Sequence, residues 1–252
     1  MLAQNKLQKN KLIFSALLPI LSLLLWFYTD IGKLMYELDV MASVAANDSL
    51  HISKSWSWFW AITNQKKEKY LNVICILLLN LWYIFSANKK ERLTAISQVL
   101  LVWLYIQGGI ILINFIFHDL MTTDRFSPSL IIKPFLRLSE YFNDPDIKDM
   151  SKRSFPSGHG FAMFYWIFFT AKFAPRRIFI PTVIIGIFLC APRFMSGAHW
   201  ISDIVFSGML AYAYAGTMIW TPLYSTSVNY IIKSLQLLIA LYKKHCSRSS
   251  AG

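Results

Sequence analysis

The stretch AISQVLLVWLYIQGGIILINFIF, Ala95 to Phe117, contains no charged residue. A bilayer core of about 30 Å is crossed by roughly 20 apolar residues of helix, so this segment predicts a membrane span. Working outward, Leu71 to Ala87 precedes it, Gly160 to Ala174, Ile178 to Ala191 and Ile204 to Thr221 follow, and Leu12 to Tyr28 stands near the N-terminus. The sequence therefore predicts an all-α polytopic membrane protein, a six-transmembrane-helix bundle. The spans at 160–174 and 178–191 are short, which assigns the polar motifs at their ends to helix ends.

Composition agrees. Of the 252 residues, 56% are hydrophobic and 15% charged, against about 25% charged in soluble domains. The net charge of +12 does not point to nucleic acid, because the basic residues lie between apolar spans, where topology and anionic lipid account for them.

Lys6, Lys9 and Lys11 ahead of the first span resemble the start of a secretory signal peptide. The apolar stretch is longer than a signal core, and the small residues Ala42 to Ala46 lie too far downstream for cleavage, so we read a retained helix. With the N-terminus cytoplasmic, the inner segments collect Lys6, Lys9, Lys11, Lys89, Lys90, Arg92, Lys172, Arg176, Arg177, Lys233, Lys243, Lys244 and Arg248 against Glu91 alone. The positive-inside rule favours that orientation, with Lys66, Lys67 and Lys69 counting against it. The chain then divides into a cytoplasmic N-terminus and first span (1–28), a periplasmic interfacial segment (29–70), a catalytic membrane domain (71–222) and a cytoplasmic amphipathic tail (223–252). Trp56, Trp58, Phe59 and Trp60 suit an interfacial belt. Tyr230 to Tyr242, ending in Lys243, Lys244 and Arg248, reads as an interfacial helix. Cys75 and Cys190 lie in apolar spans and Cys246 in the tail, a pattern that gives neither a disulfide framework nor a metal site.

Ionisable groups at membrane depth are costly, so two polar clusters demand an explanation. Pro156-Ser157-Gly158-His159 opens the fourth span, and Arg193, His199 and Asp203 lie between the fifth and sixth. On a helix Asp203 shares a face with His199, four residues earlier. A carboxylate there can keep one imidazole nitrogen protonated and leave the other to attack an electrophile. Arg193 offers a planar fork for phosphate oxygens. Gly158 lets backbone N–H groups at a helix start approach an anion, Ser157 adds a hydroxyl, and His159 can protonate a leaving oxygen. Any one of these residues is more often structural; their order on one predicted side of the membrane argues for a shared site.

Pro156-Ser157-Gly158-His159 followed by Arg193-x5-His199-x3-Asp203 resembles the second and third signature motifs of the type 2 phosphatidic acid phosphatase superfamily. The resemblance implies that His199 is a nucleophile forming a phosphohistidine, Asp203 its partner, His159 the acid, and Arg193, Ser157 and Gly158 the phosphate pocket, with no metal and no cofactor. The family's first motif, Lys-x6-Arg-Pro, is missing; Arg125 is the best substitute phosphate binder, with Lys133, Arg137, Lys152 and Arg153 in reserve, and Pro192 replaces the usual Ser before Arg193.

Ala61-Ile62-Thr63-Asn64, Arg125-x-Ser127-Pro128, Leu138-Ser139-Glu140, Arg153-Ser154-Phe155-Pro156 and Gly197-Ala198-His199-Trp200 are similar to the lipid A phosphotransferase branch of that superfamily. That likeness implies undecaprenyl pyrophosphate, a polyprenyl pyrophosphate, as donor, the 1-phosphate of lipid A as acceptor, and a site at the periplasmic face of a bacterial inner membrane. The branch often carries Pro-Gly-Asp-His where this chain keeps Pro156-Ser157-Gly158-His159, the form of simple phosphatases; water as acceptor gives a phosphatase, lipid A a transferase. A vanadium haloperoxidase would use the same pocket, but those relatives are soluble. A non-catalytic lipid-binding or transport protein would show polar groups at mid-span and repeated halves rather than polar helix ends. Oligomeric state is not encoded in these patterns.

Overall fold

The computed structural model describes residues 2–66 and 69–249. Lys67 and the last residues of the tail, 250–252, lie outside the described residues, as do the side chains of Lys6, Lys69, Lys243, Lys244 and Arg248, so those parts of the charge argument have no structural counterpart. The described chain is helical, and its one strand-like feature is an antiparallel bridge between Gln65 and Ile147. The all-α expectation holds.

Seven long helices build the body: α1 (Leu2–Tyr28), α2 (Ile31–Ser49), α4 (Lys69–Ser86), α5 (Arg92–Asn114), α8 (Gly158–Phe173), α9 (Arg176–Met195) and α10 (Ile201–Ile219). A terminal α11 (Leu223–Ser249) follows, and the short α3 (Lys54–Ile62), α6 (Pro128–Ile131) and α7 (Leu138–Tyr141) lie in the connecting segments. Helix α8 is central. It packs against α10, α9 and α5; α1 covers the far side of α10, and α4 touches α5 and α9.

By length and composition three described helices are able to cross a membrane, at Leu7–Tyr28, Arg92–Leu120 and Arg176–Met195, or four if α10 and α11, bent by 68° to one another, form one span. The remaining expected spans are helices too, but shorter. Asn72–Ser86 is a short apolar helix, and α8 has 16 residues, about 24 Å at 1.5 Å per residue. Helix α8 is shielded by its neighbours, burying Phe161, Met163, Tyr165, Trp166 and Phe169. The length rule presses hardest on helices that meet lipid. Large apolar side chains such as Phe14, Leu21, Leu24, Leu78, Ile111 and Ile184 are turned outward, and the fold is that of a multi-pass membrane protein.

Helices α8 and α10 run parallel. Ser157 faces Asp203 across their starts, a Cβ on Gly160 would stand 3.4 Å from the Ile204 backbone, one on Gly208 3.2 Å from the Phe164 ring, and Phe168 meets Tyr212 further along. Small residues at 160 and 208 permit that approach. Both N-termini therefore open at the same end, where α9, running the other way, delivers its C-terminus. Two helix starts with orphan N–H groups and partial positive charge converge there.

Helix α2, in the segment read only as interfacial, packs in the reverse of the usual sense. It buries Asp39, Ser43 and Asn47 and turns Leu34, Leu38 and Met41 outward. The Asn47 side chain donates to the Leu136 carbonyl at 3.0 Å and accepts from its N–H at 2.9 Å, fastening α2 to the loop before α7. The tail helix α11 begins at Leu223, earlier than the Tyr230 start read from the sequence, and lies against α5 and α10.

Candidate active site

Helix α9 ends because of Gly197. Its φ of +75° is a left-handed conformation that a Cβ disfavours, and a Cβ there would also stand 2.5 Å from the Phe135 ring. The turn lets the N–H groups of Ala198 and His199 both reach the Arg193 carbonyl, at 3.0 and 3.1 Å. His199 is thereby folded back beside Arg193. Two residues on, α10 starts, and the Asp203 carboxylate reaches back to the Trp200 N–H at 2.9 Å, half of a capping box.

The His199 ring is fixed by its Nδ1, which lies 2.7 Å from the Ser154 carbonyl and 3.6 Å from Asp203 Oδ2. A carbonyl only accepts, so Nδ1 carries the proton and the Nε2 lone pair is left for chemistry. The tautomer expected from the Asp203 spacing is present, but the direct hydrogen bond goes to Ser154 and the carboxylate acts through its charge.

Opposite stands the start of α8. Ser157 is fully buried, and its Oγ caps the helix by accepting from Gly160 N at 3.2 Å. Gly158 is different: a Cβ built on it meets nothing within 4 Å. Among the described residues the space beside the first turn of α8 is thus open, at a helix start whose N–H groups favour an anion. His159 precedes the expected span 160–174, and its Nε2 is 2.7 Å from the Asn72 side-chain nitrogen on α4. Burial, and then the charges of Arg193, His199 and Lys148, push the His159 pKa down to about 3. Arg193, His199 and Lys148 are thus near enough to His159 to act on it electrostatically.

Lys148 escaped the sequence reading, which held four other loop cations in reserve. Amid Asp144, Asp146 and Asp149 it reads as a solvated surface charge. The backbone locates it instead: Lys148 N donates to the Asn64 carbonyl at 3.0 Å, and the Asn64 side chain bonds both the Lys148 carbonyl and, at 2.5 Å, Ser196 at the end of α9. Asn72 was missed for a similar reason, as one polar residue in an apolar run.

Arg125, expected to bind phosphate, pairs with the Asp203 carboxylate. Its terminal nitrogens bond Asp39 at 2.6 Å, Ser202 at 2.9 Å and Asp203, and its guanidinium is stacked between Trp26 and Trp200, 4.8 and 5.2 Å from their rings. Its terminal nitrogens are thus engaged by the Asp39, Ser202 and Asp203 side chains. Of the reserves, Arg137 pairs with Glu140 and Arg153 with Asp124. Among the described residues no cluster of His, Cys, Asp or Glu is grouped to hold a metal ion.

Comparison with known proteins fits this geometry. The PAP2 superfamily pattern matches residues 110–227, which contain both histidines, Arg193 and Asp203. The chain is also 28% identical over 192 residues to the lipid A 1-diphosphate synthase of Escherichia coli strain K12, covering 75% of this chain and 78% of that protein. No solved structure matches. With the two motifs assembled at one end of a helical membrane bundle, the PAP2 superfamily match over residues 110–227 and the likeness to that synthase support an enzyme of the lipid phosphatase and phosphotransferase class.

Proposed function

We propose that the protein transfers a phosphoryl group from undecaprenyl pyrophosphate to the 1-phosphate of lipid A through a phosphohistidine on His199. The observation that carries the chemistry is the His199 ring, whose Nδ1 is committed to the Ser154 carbonyl so that Nε2 is the nitrogen left to react, in a ring that acts on His159 together with Arg193 and Lys148. The likeness to lipid A 1-diphosphate synthase supports the acceptor.

In the first step Nε2 forms a bond to the terminal phosphorus and the bond to the prenyl phosphate oxygen breaks, with His159 giving its proton to that oxygen. The ring gains positive charge as it is phosphorylated, and the Ser154 carbonyl and Asp203 charge oppose that cost. Arg193, Lys148 and the N–H groups of Gly158 and His159 receive the charge on the equatorial oxygens. In the second step an acceptor oxygen displaces Nε2. His159 is kept neutral in the empty site first by burial and then by its cationic neighbours, and the arriving anion offsets the second of these.

We place the site at the periplasmic face of a bacterial inner membrane, in a six-span bundle divided at 1–28, 29–70, 71–222 and 223–252. Arg193, Ser157 and Gly158 belong to the phosphate pocket, Ser157 by shaping the helix start. The second reading is a lipid phosphate phosphatase, favoured by the intact Ser157-Gly158 pair. Incubation with donor labelled in its terminal phosphate, with and without lipid A, separates the two. Label on lipid A as a diphosphate is the expected result; free phosphate as the main product at saturating lipid A overturns the transferase.

A further inference from the structure

Asp39 lies on α2, far in sequence from both motifs, yet its side chain is fully buried and reaches the start of α10. One carboxylate oxygen accepts from the Ser202 N–H at 3.0 Å; the other accepts from Arg125 Nη2 at 2.6 Å and from the Ser202 hydroxyl. Arg125 Nη1 bonds Asp203 Oδ1. The guanidinium therefore bridges two carboxylates, one through each terminal nitrogen. Burying two carboxylates around one cation is costly unless the arrangement is needed.

A guanidinium facing a lone carboxylate adopts the bidentate fork, taking both oxygens. Asp39 prevents that here. By holding Nη2 it leaves Arg125 a single contact with Asp203, and Asp203 Oδ2 stays with the Trp200 N–H and the His199 ring. Asp39 also holds the Ser202 N–H while Asp203 holds that of Trp200, so two carboxylates fix the first turn of α10, where anions are favoured.

We infer that Asp39 is a positioning residue for the Asp203–His199 pair, acting through Arg125 and Ser202, so that docking of α2 sets the nucleophile's geometry. The inference rests on His199 being the nucleophile. Asp39 touches no substrate: Asp39→Asn lowers kcat by about tenfold to a hundredfold, the scale of a misplacement of about 1 Å, and leaves KM within about twofold. Freed from Asp39, Arg125 takes both oxygens of Asp203; adding Arg125→Lys, which has no fork, recovers about tenfold of the lost kcat. A merely structural aspartate gives no such recovery.

The test measures kcat and KM for Asp39→Asn, Asp39→Asn/Arg125→Lys and His199→Ala in detergent micelles, with thermal unfolding of each. Should Asp39→Asn not accumulate, Ser202→Ala loosens the same carboxylate without removing its charge and lowers kcat in the same direction. A silent His199→Ala would sink the underlying reading. An inactive His199→Ala beside an unchanged kcat in Asp39→Asn, or a double variant no better than the single one, overturns the role of Asp39 alone.

Discussion

Gly158→Ala separates the anion site from the fold. A Cβ at residue 158 meets no atom within 4 Å, and α8 begins there in ordinary helical geometry behind the Ser157 cap. Alanine therefore enters without strain and raises stability by about 0.4–1 kcal/mol through the unfolded chain. The methyl group enters the open space beside the first turn of α8, next to the N–H groups proposed to hold the anion. An anion displaced from them loses at least one charge-assisted hydrogen bond, worth about 1.5–3 kcal/mol, which corresponds to a loss of about 10- to 150-fold in kcat/KM. Phosphate transfer or release from labelled polyprenyl pyrophosphate, measured beside thermal unfolding in the same detergent, reads both effects. Gly109→Ala is the converse control: its Cβ would stand 2.4 Å from the Phe161 ring, so it lowers the unfolding temperature by overpacking. Activity of Gly158→Ala within about twofold of the parent would refute an anion site at this helix start.

Other outcomes follow from the same geometry. Lys148→Met lowers kcat/KM by about tenfold or more, since a cation facing phosphate is lost; unchanged steady-state kinetics would remove Lys148 from the site. With its pKa lowered to about 3, first by burial, His159 is neutral at pH 8 in the empty enzyme and must take up a proton with the anion to serve as the proposed acid. Calorimetric binding of inorganic phosphate at pH 8, in buffers of different ionisation heat, then reports greater proton uptake for the parent than for His159→Gln, and equal uptake contradicts the assignment. A single cysteine replacing Asp146, in a background without Cys75, Cys190 and Cys246, reacts with an impermeant thiol reagent in intact spheroplasts; reaction only after lysis reverses the orientation.

Much of the site was legible because its signals are local. The i,i+4 relation of His199 and Asp203 needs only the start of α10, and Gly197 marks the turn that folds His199 back to Arg193. What escaped depends on contacts distant in sequence. Lys148 is placed by Asn64 and the Gln65–Ile147 bridge. Arg125 was read as a phosphate binder because its partners Asp39 and Asp203 lie 86 and 78 residues away. Helix α2 misleads a sequence reading because its apolar stripe, with Leu34, Leu38 and Met41, faces outward while Asp39, Ser43 and Asn47 face the protein. The span count was blurred for a related reason: α8 is surrounded by protein, and its 16 residues answer to its neighbours rather than to bilayer thickness.

The central claim is a phosphoryl group carried on His199. An N–P bond is stable in base and labile in acid, so enzyme mixed for milliseconds with donor labelled in its terminal phosphate, without acceptor, and quenched in alkali should retain label. Proteolysis and mass spectrometry should then find it on the peptide containing His199, and adding lipid A before the quench should discharge it. Label absent from the protein while product still forms, or carried on a peptide other than that of His199, would contradict the account.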